Sequence, residues 1–133
     1  MGLTSNQGLS DLLLSDDLNA HCVIQKSSLE ENLFILSSGN TNNNIDTSKL
    51  LAAAKMRELM EELKQHFELV IYDVSSIVDY ADVNLLANKT DGVVLVTGLV
   101  KLQALKLKEA INQLNISKTP ILGVLINKIT AKV

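Results

Sequence analysis

The chain has 133 residues, of which 47% are hydrophobic, 20% charged and 3% aromatic, so it is long enough to bury one core and is expected to form a single domain. One proline and six glycines exclude a collagen-like or low-complexity chain. Twelve basic residues against fifteen acidic ones leave a net charge of -3, the opposite sign to that of a duplex-binding protein, so nucleic acid is not an expected partner.

In chain order, Gly8 to Leu14 reads as a short helix, with Ser10 as its N-cap and its end near Ser15-Asp16-Asp17. Two short apolar patches follow, His21 to Ile24 and Asn32 to Leu36, and the second reads as a strand ending at Ser37-Ser38-Gly39. Asn40 to Asp46 is polar and rich in residues that hydrogen-bond their own backbone, and it reads as a connecting loop. From about Ser48 to His66 the pattern predicts one long helix. Leu51, Met56, Leu59, Met60, Leu63 and Phe67 recur at three- and four-residue spacing, while Arg57, Glu58, Glu61, Glu62 and Lys64 fill the other face. Asp46, Thr47 or Ser48 can cap it, and Met56 and Met60 read as core filler.

Three apolar runs then define a sheet: Leu69 to Asp73, Gly92 to Thr97 and Ile121 to Asn127. They are β-branched and nearly continuous, the pattern of strands covered on both faces. Helices over about Ala81 to Lys89 and Lys101 to Leu114 separate them, the second with Ala104, Leu107, Ile111 and Leu114 as its apolar stripe. Strand, helix, strand, helix, strand predicts an α/β fold: a mostly parallel sheet flanked by helices. One cysteine, Cys22, excludes an internal disulfide framework and fits a reducing compartment. Apolar runs of about six residues are far short of the ~20 needed to cross a bilayer, and the expectation is a cytoplasmic domain.

In an open parallel sheet, ligands bind beyond the carboxyl ends of the strands, so the residues there carry the functional reading. Asp73 closes an apolar strand, where a carboxylate can hold magnesium through water or orient a nucleophile; the alternative is a simple capping role. Asp82 follows shortly after and reads better as a helix cap. Asn127 closes the last strand, where an amide can contact a nucleotide base or close a turn. No Gly-x-x-x-x-Gly-Lys-Ser/Thr loop, Gly-x-Gly-x-x-Gly loop or serine nucleophile elbow occurs. His21 and His66 lack metal-ligand spacing, and Lys101, Lys106 and Lys108 read as a solvated helix face.

The order of these motifs resembles the C-terminal half of the cytoplasmic domain of bacterial tyrosine kinases, the P-loop ATPases of capsular and exopolysaccharide biosynthesis, of the deviant-Walker, chromosome-partitioning-like class. The segments that carry the resemblance are Gly8 to Leu13, Asn32 to Gly39, Asp46 to Leu51, Phe67 to Ser76, Asp91 to Val96 and Gly123 to Asn127. By that resemblance Asp73 matches the Walker B carboxylate and candidate magnesium ligand, Asn127 a base contact and, more weakly, Asp82 a nucleotide-site acid. The family's Walker A loop and the acidic strand motif after it lie upstream of the Gly8 segment and have no counterpart here. The prolines after the Walker B aspartate are Ser75 and Ser76, Thr97-Gly98 stands where an arginine is expected, and Tyr72 and Tyr80 do not form the family's tyrosine cluster.

The resemblance therefore implies a partial P-loop NTPase fold without its Walker A strand and loop. Kinase chemistry on that scaffold is positioning and charge stabilisation by the phosphate loop, so the chain alone is expected to be non-catalytic and to need neither ATP nor magnesium. Its role is then regulation or assembly. ATP and magnesium enter if a partner or upstream segment carrying Walker A completes the site, and an unrelated small α/β interaction module is the third reading. Strand edges left without neighbours predict self-association or docking to a protein partner. The polysaccharide-export membrane machinery is the partner the family suggests, which would hold the chain at the inner face of the membrane.

Overall fold

The computed structural model describes residues 7–39, 46–78, 82–98 and 101–127; the side chains of Asp82 and of residues 101–103 lie outside that description. So do the expected loop over Asn40 to Ile45 and both Asp79 and Tyr80. The chain divides into two compact units, Met1–Ile71 and Tyr72–Val133.

In the first unit, α1 (Leu9–Leu14) is preceded by Gly8, not by Ser10, as its N-cap. Ser10 is buried inside the helix, and the first turn is closed from within: the Gly8 N–H donates to the Asp11 carboxylate at 2.9 Å. A second tie comes from the segment before Gly39. The Leu9 and Ser10 N–H groups donate to the carbonyls of Ser37 and Ser38 at 2.8 and 3.0 Å. Two glycines make this approach feasible. A Cβ on Gly8 would collide with the Gly39 backbone and the Ser37 carbonyl. Gly39 itself has φ +81°, and a Cβ there would meet the Ser10 hydroxyl at 2.7 Å.

The patch at His21 is a single helical turn, α2 (Ala20–Val23), whose N-cap Asn19 accepts from the His21 N–H at 2.8 Å. The strand expected over Asn32 to Leu36 is a two-residue one, β2 (Phe34–Ile35), paired antiparallel with β1 (Gln25–Lys26). The long helix expected from Ser48 to His66 is broken into α3 (Thr47–Ala52) and α4 (Ala54–His66). Ala53 takes an extended backbone, φ −62° and ψ 151°, at the centre of three consecutive alanines. α3 has no fully buried side chain, only half-buried ones such as Leu50 and Leu51, so little burial opposes the break. α4 shows the expected stripe, with Met56, Leu59, Met60 and Leu63 buried together with Leu12, Ala20 and Val23 of the same unit.

The second unit is a β-α-β crossover with one helix before it. β3 (Val93–Gly98) and β4 (Ile121–Asn127) pair in parallel across α6 (Lys101–Ile116), and α5 (Asp82–Ala87) precedes them. Its core joins Ile77, Val83, Ala87, Leu95, Ala110 and Leu114. Ala110, not Ala104, belongs to the buried stripe of α6; Ala104 is exposed. The turn into β4 is fastened by side chains. The buried Thr119 hydroxyl donates to the Asn88 amide oxygen at 2.7 Å and meets the Ser117 hydroxyl at 3.0 Å.

Two expectations about the sheet need correction. Leu69 to Asp73 belongs to no ladder among the described residues, and Leu69 and Ile71 are exposed. A run of β-branched residues becomes a strand only when a neighbour takes its N–H and C=O groups, and among the described residues β3 forms a ladder with β4 alone. Nor are the strands covered on both faces. Leu95 is buried, whereas Val94 and Val96 beside it are 55% and 66% exposed.

Candidate functional site

The sequence directs attention to the carboxyl ends of the apolar runs, and the second unit contains all three residues singled out there. Asp73 lies in the stretch 69–76, which has no regular secondary structure, with its side chain exposed. Asn127 is the last residue of β4, exposed and in register with Gly98 at the end of β3. Asp82 is the first residue of α5, and its expected capping bond lies outside the described residues. β3 and β4 thus bring Thr97, Gly98, Ile126 and Asn127 to one end of the ladder, as a parallel pair must. No hydrogen bond or ion pair among the described residues links Asp73 with Asn127.

Among the described residues, no three of His, Cys, Asp and Glu gather closely enough to hold a metal ion. Asp73 is therefore a lone exposed carboxylate as a ligand. A single carboxylate does not make a metal site by itself. Nor do the described residues supply the loop of converging backbone N–H groups that a triphosphate needs.

Two features were not legible in the sequence. His21 and His66, which read as isolated, meet edge-on with ring centroids 6.1 Å apart, and His66 Nδ1 lies 2.8 Å from the Glu62 carbonyl oxygen. The second is the open face of the β3–β4 pair. In a parallel ladder, register partners share a face, and Val96 is partnered by Leu125, itself 53% exposed. Val94, Val96 and Leu125 form an apolar surface with no charge in it, on the side away from buried Leu95. Only the register, which a sequence does not display, places these three together.

Comparison with solved structures identifies the fold to which this parallel pair and crossover helix belong. The kinase domain of VpsO superposes with a TM-score of 0.83 over 95% of this chain and 60% of its own, at 23% identity, which establishes the fold. The chimerical protein CapA2B2 superposes with a TM-score of 0.84 over 97% of this chain and 55% of its own, at 26% identity. No family model matches the chain.

Among curated relatives, the tyrosine-protein kinase YwqD of Bacillus subtilis is 34% identical over 128 residues, which is 94% of this chain and 51% of YwqD. The chain is thus homologous, along nearly all of its length, to bacterial tyrosine-protein kinases. It spans about half the length of the curated relatives it matches. Among the described residues no helix is long and apolar enough to cross a membrane.

Proposed function

We propose that this chain is a half-domain of the capsular and exopolysaccharide tyrosine-kinase type, non-catalytic by itself, that serves regulation or assembly of that system. The observation that supports the reading is Asp73, which the resemblance matches to the Walker B acid: an exposed carboxylate, with no phosphate-holding loop among the described residues. A magnesium-binding carboxylate acts on a bound triphosphate, and phosphoryl transfer draws most of its catalysis from the groups that position that triphosphate. Titration of the purified chain with ATP and magnesium by calorimetry tests the reading. No heat of binding at millimolar nucleotide is expected; binding that Asp73→Ala abolishes would overturn it.

A second reading is favoured by the relatives' length and by the open sheet face. In it, a polypeptide carrying the Walker A loop completes the domain, and ATP and magnesium belong to the completed assembly. Asp73 then holds magnesium through water, Asn127 contacts the base, and Asp82 contributes weakly. The partner is a protein of the polysaccharide-export machinery, not nucleic acid, and it would keep the chain at the inner face of the membrane. The net charge of -3 supports the exclusion of nucleic acid.

A further inference from the structure

We propose that His21 and His66 form a two-histidine site for a divalent transition-metal ion of the zinc, nickel and copper group, clipping α2 to the C-terminal end of α4. The site lies in the first unit and does not depend on the half-domain reading. These are the chain's only histidines, far apart in sequence, and the fold brings their rings edge-on with centroids 6.1 Å apart. Two imidazole nitrogens at about 2.0–2.1 Å from one ion place their ring centroids about 5 Å apart. The observed separation exceeds that by little. Both residues are exposed, so a hydrated ion reaches them, and rotation about their broad χ2 torsions closes the remainder.

The hydrogen bonding of the pair leaves ligand nitrogens free. His66 Nδ1 lies 2.8 Å from the Glu62 carbonyl oxygen. A carbonyl oxygen can only accept, so Nδ1 carries the proton and Nε2 of the neutral ring presents a lone pair. Metal-binding histidines are oriented in this way: one ring nitrogen donates to a fixed acceptor and the other takes the ion. Among the described residues the His21 ring makes no hydrogen bond, so its lone pair is available too. Both backbones are held in place. The Asn19 side chain accepts from the His21 N–H at 2.8 Å, and Ala20 and Val23 of the same turn are buried. Leu63, one turn before His66, is buried as well. Asn19 and Ala20 line one small cavity with Glu58, Leu59 and Glu62, which sets α2 beside α4.

The donor set selects the ion. Imidazole suits zinc, nickel and copper, whereas magnesium and calcium take oxygen ligands. No third His, Cys, Asp or Glu among the described residues joins the pair, so water completes the coordination. An ion held by both rings ties two distant segments of the chain together, and it stabilises the folded state because the unfolded chain does not hold the rings side by side.

The test titrates zinc into the full, untagged chain by calorimetry, with long-range proton–nitrogen NMR of the two rings. One ion per chain is expected, moving the ring signals of both histidines together while His66 Nδ1 keeps its proton. Magnesium at the same concentration should move neither ring. His21→Gln and His66→Gln should each weaken zinc binding at least tenfold. Cys22→Ser, at the exposed thiol next to His21, should leave it unchanged. Saturating zinc should raise the thermal midpoint of the unaltered chain by a few degrees and that of neither histidine variant. Both substitutions fall on exposed positions, and circular dichroism checks that each variant retains its helix content.

The inference is overturned if no zinc binds, if either histidine variant binds it with full affinity, if Cys22→Ser abolishes binding, or if zinc moves one ring only. One ion per two chains, with dimerisation, also overturns it, since the ligands would then come from two copies. None of these outcomes bears on Asp73 or on the half-domain reading, which the ATP titration tests separately.

Discussion

Leu114 is the side chain on which the second unit's packing depends most. It has no exposed surface, lies in the last turns of α6, and shares a core with Leu95 of β3 and with Val83 and Ala87 of α5. Leu114→Ala removes three buried carbon atoms from a site bordered by two helices and a strand, elements that cannot all close on the gap. The lost transfer free energy and the residual cavity together cost about 2–5 kcal/mol. A domain of this size holds on the order of 5–15 kcal/mol in total, so the substitution removes a large part of the margin. With a central cost of about 3.5 kcal/mol and a urea dependence of about 2 kcal/mol per molar, the unfolding midpoint should fall by about 2 M.

Leu105→Ala is the control on the same helix. Its side chain is 70% exposed, and the change should stay within about 0.5 kcal/mol. Urea titration followed by far-ultraviolet circular dichroism reports both variants. Amide hydrogen exchange at Leu95 and Val124 reads the β3–β4 ladder alone. Equal effects for the two substitutions, or Leu114→Ala below about 1 kcal/mol, would show that α6 does not pack on β3 through the face described.

In the first unit, Gly39→Ala should destabilise by about 1–3 kcal/mol, because φ +81° strains an L-residue and the new methyl meets Ser10 and Asp11. Thermal unfolding would show this, and a neutral result would mean that the 37–39 segment does not close on α1. The N-terminus of α3 should respond to acid through Asp46. The Lys49 backbone N–H bond holds the Asp46 carboxyl below its ordinary value, against an opposing effect of desolvation and with a lesser contribution from the Lys49 ammonium. The unfolded chain therefore takes up the proton more readily than the folded one, and the carboxylate's contribution is complete above the ordinary carboxylate pKa. It is lost as pH falls through the folded value. Carbon chemical shifts over 47–52 should lose helical character below about pH 4, and Asp46→Asn should abolish that titration. An unchanged acid transition in Asp46→Asn would assign it to another group.

Much of the architecture can be read in the sequence, because its local signals agree with its fold. The stripe Met56, Leu59, Met60, Leu63 makes α4 whatever surrounds it, since those side chains recur on one helical face. The crossover from β3 through α6 to β4 follows from two apolar runs separated by a helix-length segment, which leaves a parallel pairing as the ready solution. The ordered series of segments from Gly8 to Asn127 pointed to the tyrosine kinases, and the homologues bear it out.

Other features were decided by tertiary structure. The break at Ala53 was invisible because alanine favours a helix, and α3, with no fully buried side chain, opposes the break little. Leu69 to Asp73 has the composition of a central strand, but a strand exists only as one side of a ladder, and that is a property of the neighbour as much as of the segment. The meeting of His21 with His66 and the apolar face of Val94, Val96 and Leu125 have the same origin. Each joins residues that are distant in sequence, and chain closure and strand register alone set that distance in space.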